Sequence, residues 1–125
     1  MWWNCYADPN TNGHSNGGNR DYVEFEFSSP IVIDKAYLDY IVGDSDISVW
    51  IGTKTNPIAN HNTLSDAFLT SLGTQEDNNT SLTTSRWAVF NAANKVGNVV
   101  VISASASDTT PEDTFKIHKL LFGCH

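Results

Sequence analysis

Basic residues are scarce in this chain, since seven Lys and Arg stand against fourteen Asp and Glu and the formal net charge is −7. An acidic surface of this kind repels phosphate backbones and anionic lipid headgroups. The densest cationic cluster, Lys116 and Lys119 with His118, lies among core-like residues of a predicted strand. We therefore expect binding neither to nucleic acid nor to a membrane surface.

Long hydrophobic runs are also missing. No stretch approaches the roughly 20 apolar residues that a membrane-spanning helix needs. The first residues, MWWNC, have neither the basic start nor the apolar run of a signal peptide. The sequence thus predicts no membrane span, and Met1 is interpreted as the start of a mature fragment.

Helix-forming residues are few, because Leu, Lys and Glu are sparse while Ser, Thr, Asn, Asp and Val are plentiful. This composition favours strands and turns. A chain of 125 residues has the size of one domain and can bury one core. We predict a single all-β domain over residues 1–125.

Alternating apolar and polar residues mark the strands of this domain. Val23, Phe25 and Phe27 form one face of a strand that ends at a Ser-Ser-Pro break. Further strand-like runs lie at residues 31–42, 47–51, 86–90, 96–106 and 115–124. Their short polar connections predict an antiparallel two-sheet β-sandwich of jelly-roll type, with roughly seven or eight strands.

One short helix interrupts this pattern. Thr63 and Asp66 have the spacing of a capping box, and Phe68 and Leu72 recur at helical spacing before Gly73, a plausible C-terminal cap. We expect this helix to cross one end of the sandwich. The polar residues 74–85 are predicted to form a loop.

The two cysteines, Cys5 and Cys124, lie almost at the two ends of the chain. A disulfide between them would close nearly the whole chain and stabilise it by about 4 to 5 kcal/mol. The bond requires the first and last strands to be neighbours. The alternative is two free thiols in a cytosolic protein, but cysteines at both ends of a polar β domain favour an oxidising, extracytoplasmic compartment.

Aromatic residues are the best candidates for ligand binding. Trp50 is out of register with the apolar residues of its strand and is our first choice for a ring on which a sugar could stack. Trp2, Trp3 and Tyr6 form a second cluster, followed by an Asn/Gly-rich loop that contains Asn16. The alternative is that the helix or the N-terminal segment covers both Trp50 and Trp87.

A turn after Gly43 offers oxygen ligands to a metal ion. Asp44 and Asp46 flank Ser45 there, and calcium prefers carboxylate and carbonyl oxygens within one tight loop. We regard calcium as a possible cofactor. The alternative is an ordinary turn rich in Asp.

Glu24 and Glu26 are an acidic pair with an enzyme-like spacing. They lie on one face of a strand, and the rise per residue of a strand places them about 7 Å apart. This distance is in the range that separates the two catalytic carboxylates of glycoside hydrolases. Exposed glutamates on an alternating strand are the commoner explanation. We predict no catalytic residue.

The order of several segments resembles a known family. DYVEFEF at residues 21–27 leads into IVIDKAYLDYIVG at 31–43 and DSDISV at 44–49, and NVVVISAS at 98–105 precedes DTFKIHKL at 113–120. Together they are similar to the extracellular domain of PEP-CTERM proteins, which bacteria export by the exosortase system and which are associated with exopolysaccharide. The C-terminal Pro-Glu-Pro motif, membrane helix and basic tail of that family are missing, and the two cysteines are not typical of it.

The resemblance implies a secreted or cell-surface bacterial β-sandwich and brings no catalytic residue with it. We therefore expect a non-catalytic domain that binds polysaccharide or another surface glycan through exposed aromatic residues and Asn/Asp-rich loops. The alternative is a structural protein of the cell surface or extracellular matrix, whose aromatic residues serve self-association or contacts with other proteins.

Overall fold

A computed structural model describes residues 2–4, 22–55, 65–80, 84–107 and 113–124. These residues contain seven strands and one helix. The strands are β1 (Trp2–Asn4), β2 (Tyr22–Gly43), β3 (Ile47–Gly52), β4 (Glu76–Asn78), β5 (Arg86–Val89), β6 (Gly97–Ala104) and β7 (Asp113–Cys124), and the helix is α1 (Asp66–Leu72). Among the described residues, no helix is both long and apolar enough to cross a membrane.

All described strands belong to one antiparallel sheet in the order β1-β7-β2-β6-β3-β4, with β5 paired to β2. The sheet curls because β2 changes partners along its length: residues 22–31 pair with β6, and residues 31–43 pair with β7. The all-β antiparallel prediction is confirmed. A sandwich of two separate sheets is not confirmed, because β2 continues unbroken from one half of the sheet into the other.

The Ser-Ser-Pro segment at residues 28–30 bends β2 without ending it. These three residues are exposed, and the pairing with β6 shifts between Glu26 and Ile31. Proline has no N–H to donate to a neighbouring strand, so it is tolerated where ladder pairing is interrupted. The predicted break between two strands is therefore a bend within one strand of 22 residues.

One hydrophobic core fills the concave side of the sheet. Phe25 and Phe27 from the first half of β2 share this core with Ile33 and Leu38 from its second half. The remaining core residues come from the other long strands and the segment after β5: Ile31, Ala36, Ile47, Val49, Ile51, Ala88, Phe90, Val100, Ile102, Ala104, Phe115, Ile117, Leu120 and Phe122. Both halves of the sheet are thus held around the same apolar interior.

A β-bulge in β7 changes which of its residues face the core. Tyr37 pairs with Lys119, but the next residue of β2, Leu38, pairs with Ile117, so His118 is an extra residue in β7. As a result His118 and Lys119 are both partly exposed, while Leu120 is fully buried. The regular alternation predicted for this strand is therefore wrong beyond Ile117.

Helix α1 begins two residues later than the capping box predicts. The N-cap is Ser65, whose hydroxyl accepts a hydrogen bond of 3.1 Å from the N–H of Phe68. Thr63 lies outside the described residues. Gly73 forms the predicted C-cap, with φ of 120°. The helix packs over β3, on the convex side of the sheet, and Leu69 and Leu72 are its buried residues.

Strand β4 forms within the segment that we predicted to be a loop. Its three residues pair with β3, and the Ser48 hydroxyl donates a hydrogen bond of 2.6 Å to the Asp77 carboxylate. A polar strand this short has no alternation to detect, so its pairing depends on the neighbouring strand.

Strands β1 and β7 are neighbours, as a disulfide between the chain ends would require, but they are antiparallel. Asn4 pairs with Lys119, five residues before Cys124, a separation of about 17 Å along the strand. Cys5 itself lies outside the described residues. The predicted Cys5–Cys124 disulfide is not shown, and this register does not favour it, because disulfide-linked Cα atoms lie about 4 to 7 Å apart.

Candidate functional site

Trp50, our first candidate for an exposed ring, is covered by α1. Its side chain is only 6% exposed and packs with Leu69, Leu72 and Val101 in a small apolar cluster between the helix and the sheet. The Tyr22 ring lies 5.9 Å away, centroid to centroid. The prediction that Trp50 offers an open stacking surface is therefore wrong, and its position off the core stripe is explained by this second apolar cluster.

The second aromatic cluster is described only in part. Trp2 and Trp3 belong to β1, where their backbones pair with Leu121 and Leu120. Tyr6 and the loop residue Asn16 lie outside the described residues. Ligand binding by these four residues stays a prediction.

The turn predicted to bind calcium is buried. Asp44 is 1% exposed and Asp46 is fully buried. One oxygen of Asp44 accepts a hydrogen bond of 2.8 Å from the N–H of Ser45, and the other has no hydrogen-bond partner among the described residues. In the part of the chain that the structure covers, no three His, Cys, Asp or Glu side chains are grouped as metal ligands.

A buried arginine occupies the same turn. Arg86 of β5 donates from Nε to the Ser45 hydroxyl at 2.9 Å and from Nη2 to the Ser45 carbonyl at 2.7 Å. The guanidinium thus brings positive charge to the turn and bonds two of the oxygens that a calcium ion would use. Calcium binding by Asp44 and Asp46 stays a prediction, and it would have to compete with this contact.

A different surface brings partly exposed aromatic and cationic side chains together. It is the convex side of the sheet where β2 lies between β5 and β7, and we call it the outer face. Its residues are Lys35, Tyr37, Asp39, Trp87, Lys116, His118 and Lys119, all of them partly exposed. The inward-facing residues between them, such as Ala36 and Leu38, are fully buried in the core, so the strand alternation holds the outer face on a rigid support.

Tyr37 and Trp87 form the centre of the outer face. They are directly opposite each other in the pairing of β2 with β5, and their rings lie 5.2 Å apart in an edge-to-face arrangement. The bulge residue His118 lies on the other side of Tyr37, with ring centroids 6.2 Å apart. Three rings from three neighbouring strands thus form one row across the sheet.

Each of three lysines lies beside an aromatic ring. The ammonium nitrogen of Lys35 is 5.7 Å from the Trp87 ring centroid, and that of Lys119 is 6.0 Å from Tyr37. At the end of β2, Lys116 lies 4.4 Å from the Tyr40 ring. These separations are within cation–π range.

Asp39 supplies the carboxylate of the outer face. It accepts hydrogen bonds from the Ser85 hydroxyl and, at 2.9 Å, from the N–H of Tyr40. The hydrogen bond from Ser85 is the larger cause and the one from Tyr40 the second, and together they hold the pKa of Asp39 below its ordinary value; electrostatic interactions with His118 and Lys116 add to the effect. The carboxylate is therefore ionised at neutral pH and beside Lys116.

The acidic pair Glu24 and Glu26 lies elsewhere, in the first half of β2. Both residues are partly buried, and their backbones pair with Val101 and Val99 of β6. These valines belong to the apolar cluster under α1. The pair is thus separate from the aromatic row of the outer face.

Tyr37 and Trp87 are not predicted as a pair from the sequence. Each residue lies in an alternating run and is out of register with the apolar residues on either side of it. This alternation is the sequence signal for a side chain on the face of the strand away from the core. Their proximity depends on β5 pairing with the second half of β2, and no local pattern in either strand encodes that partner.

The outer face is a shallow, rigid surface that can offer ring faces and edges, amide and hydroxyl groups, and both signs of charge. Comparison of the chain with protein-family models, with curated proteins and with solved structures found no match. The function must therefore be argued from this geometry.

Proposed function

We propose that this chain is a non-catalytic, secreted or cell-surface bacterial domain that binds carbohydrate at the outer face. The observation that carries the proposal is the partly exposed Tyr37–Trp87 pair, held on adjacent strands with ring centroids 5.2 Å apart. The secreted, cell-surface setting is what the resemblance of residues 21–49 and 98–120 to PEP-CTERM proteins would imply. Trp50, which α1 covers, has no part in it.

The chemistry of the outer face suits a sugar chain. Aromatic rings provide apolar surface for the C–H faces of a pyranose, and a few placed polar groups orient its hydroxyls. Asp39 and Ser85 lie beside the ring row and can exchange hydrogen bonds with hydroxyl groups. The row of rings crosses adjacent strands, which lie about 4.8 Å apart. A surface elongated in this way matches an extended ligand better than a compact one.

Binding to a glycan array followed by calorimetry tests the proposal. We expect Trp87→Ala and Tyr37→Ala each to weaken binding by at least about tenfold, because each removes a stacking surface worth about 1.4 kcal/mol or more. The control is Tyr22→Ala, which removes a ring from the apolar cluster under α1. Circular dichroism of each variant establishes that it is folded.

Two results would refute carbohydrate binding at this surface. One is a folded wild-type protein that binds no glycan on the array. The other is binding that Trp87→Ala and Tyr37→Ala leave unchanged, because the ligand would then lie elsewhere.

The alternative function is a structural protein of the cell surface or matrix that self-associates. It is favoured by exposed apolar residues around the same half of the sheet: Tyr40 is 64% exposed, Val42 68% and Val89 60%. Val89 directly opposes Lys35 and so adjoins the outer face. Analytical ultracentrifugation tests this function. It would be favoured by self-association that increases with protein concentration and is lost in Val89→Asp, in a protein that has no affinity for glycans.

A further inference from the structure

The lysines of the outer face point to the chemical class of the ligand. The chain has a net charge of −7 and only five lysines, of which three, Lys35, Lys116 and Lys119, lie on this one surface. The other two hold α1: Lys95 donates to the Leu72 carbonyl at 2.8 Å, and Lys54 lies 5.1 Å from the Phe68 ring. The lysines of this acidic protein are thus concentrated on the surface that carries its partly exposed aromatic row.

The positions of these lysines also match a ligand that stacks and carries negative charge. The Lys35 and Lys119 ammonium groups lie over the Trp87 and Tyr37 rings, so a sugar that binds against either ring would come into contact with an ammonium group. Contact with the ring also restrains a long side chain, which lowers the entropy cost of binding. A neutral sugar makes no use of this charge.

The negative charges of two aspartates on the same half of the sheet offset the positive charges of the lysines only in part. Asp39 is bonded to Ser85 and Tyr40. Asp34 is the extra residue at a second bulge, where Ile33 pairs with Phe122 and Lys35 with Leu121. Among the residues that the structure describes, three lysines thus stand against two aspartates on this half of the sheet, while the chain as a whole has a net charge of −7.

We infer that the ligand of the outer face is an acidic polysaccharide, whose sugar rings stack on Tyr37 and Trp87 while its carboxylate or sulfate groups pair with Lys35 and Lys119. This inference rests on the proposed carbohydrate-binding function and adds the ligand's charge. A nucleic acid offers similar chemistry, and the net charge of −7 opposes it as it opposes any polyanion, so the choice of a polysaccharide rests on the proposed function.

The test compares acidic polymers with neutral forms of the same chains. Polygalacturonate, alginate and hyaluronate are each titrated into the protein by calorimetry beside their carboxyl-reduced counterparts. We expect at least one acidic polymer to bind more tightly than its reduced form. Lys35→Gln and Lys119→Gln should each weaken binding of that polymer by roughly two- to fivefold, the effect of one exposed ion pair, and leave binding of the reduced form unchanged.

A matched control is Lys54→Gln, which removes the same charge from the helix side of the molecule and should leave both affinities unchanged. Equal affinity for acidic and reduced polymers would overturn the inference but leave the proposed function standing. Binding to none of the six polymers would overturn both. Tighter binding of a single-stranded oligonucleotide than of any acidic polymer, lost in Trp87→Ala, would also overturn the inference.

Discussion

The Arg86 guanidinium lies against the turn where the sequence predicted a calcium ion. It is 8% exposed, and it satisfies both the hydroxyl and the carbonyl of Ser45. Two aspartates on either side of a serine resemble metal ligands in sequence, but Arg86 lies 41 positions away, and only the fold brings it to the turn. The Asp44–Asp46 turn is thus better explained as a buried polar joint between the second half of β2 and β3.

Replacing Arg86 should therefore be costly. Arg86→Met leaves two buried oxygens of Ser45 without these donors, and we expect a loss of at least about 3 kcal/mol in the free energy of unfolding. Arg86→Lys keeps the positive charge but loses the planar guanidinium, whose two N–H groups bond Ser45. Most of the loss in the free energy of unfolding should therefore remain in this variant. Urea denaturation measures both variants.

The control for Arg86 is Lys54→Met, which removes a positive charge at a partly exposed site and should cost less than about 1 kcal/mol. If Arg86→Lys were as stable as the wild type, the paired bonds to Ser45 would not be what stabilises the turn.

The contribution of Asp39 to the stability of the protein should depend on pH. Its pKa is lowered first by the Ser85 hydroxyl and then by the N–H of Tyr40. The stability that Asp39 contributes is therefore fully present above the unfolded pKa of about 3.9 and is lost as the pH falls through the lowered folded value. In Ser85→Ala the pKa of Asp39 should rise toward its ordinary value, so Asp39 should contribute less stability and its contribution should be completely lost at a higher pH than in the wild type.

Carboxyl-carbon NMR titration of Asp39 in wild type and in Ser85→Ala measures this shift. Thr84→Ala, at an exposed neighbouring residue, is the control and should leave the titration unchanged. An Asp39 titration that is the same in Ser85→Ala as in the wild type would show that the hydroxyl does not stabilise the carboxylate.

At the scale of elements, alternation was enough to predict the long strands and the inward faces of most of them. Phe25 and Phe27 are buried in the core as expected, and Gly73 ends α1. What alternation cannot encode is the partner of a strand. The turn at Asp44–Asp46 was expected to join two strands of one local sheet, but β3 pairs with β6 and β4 and not with the strand before it.

The candidate site was missed for the same reason. Trp50 and Trp87 have similar sequence settings, each outside the apolar stripe of its strand. One is covered by a helix from a distant segment, and the other lies beside Tyr37 on a partly exposed surface. Whether a residue on the second face of a strand is exposed depends on what packs there, and that is a non-local property.

The contact between α1 and β3 depends on a glycine. A Cβ added to Gly52 would lie 2.8 Å from the Leu72 Cα, so the helix backbone would have to move away from the strand. We expect Gly52→Ala to lower the free energy of unfolding by about 1 to 3 kcal/mol and to increase acrylamide quenching of the buried Trp50. Chemical denaturation and fluorescence measure the two effects.

Thr53→Ala is the matched control for Gly52→Ala, because Thr53 is the next residue and is exposed. It should change neither stability nor quenching appreciably. A Gly52→Ala protein as stable as the wild type would mean that α1 can shift on the sheet at little cost, and that Trp50 is less tightly enclosed than its 6% exposure indicates.

At the scale of the whole molecule, the path of the chain determines what can join its ends. The first and last strands lie side by side, as the cysteine argument required, but their antiparallel register carries Asn4 away from Cys124. Asn4 lies about 17 Å along β7 from Cys124, and this register does not favour a bond that requires Cα atoms about 4 to 7 Å apart. If that bond does not form, the proposal of an exported protein has only the expected resemblance of the sequence segments and the composition to support it.

We therefore expect Cys5 and Cys124 to remain unlinked within one chain. The melting temperature should be the same with and without a reducing agent, and the intact mass of the non-reduced protein should be that of the dithiol form. A bond closing nearly the whole chain would stabilise it by about 4 to 5 kcal/mol, so its reduction would lower the melting temperature by many degrees. A Cys5→Ser, Cys124→Ser double variant is the control, since it cannot respond to a reducing agent. If the wild type alone lost stability on reduction, β1 would have to pair with β7 in a different register.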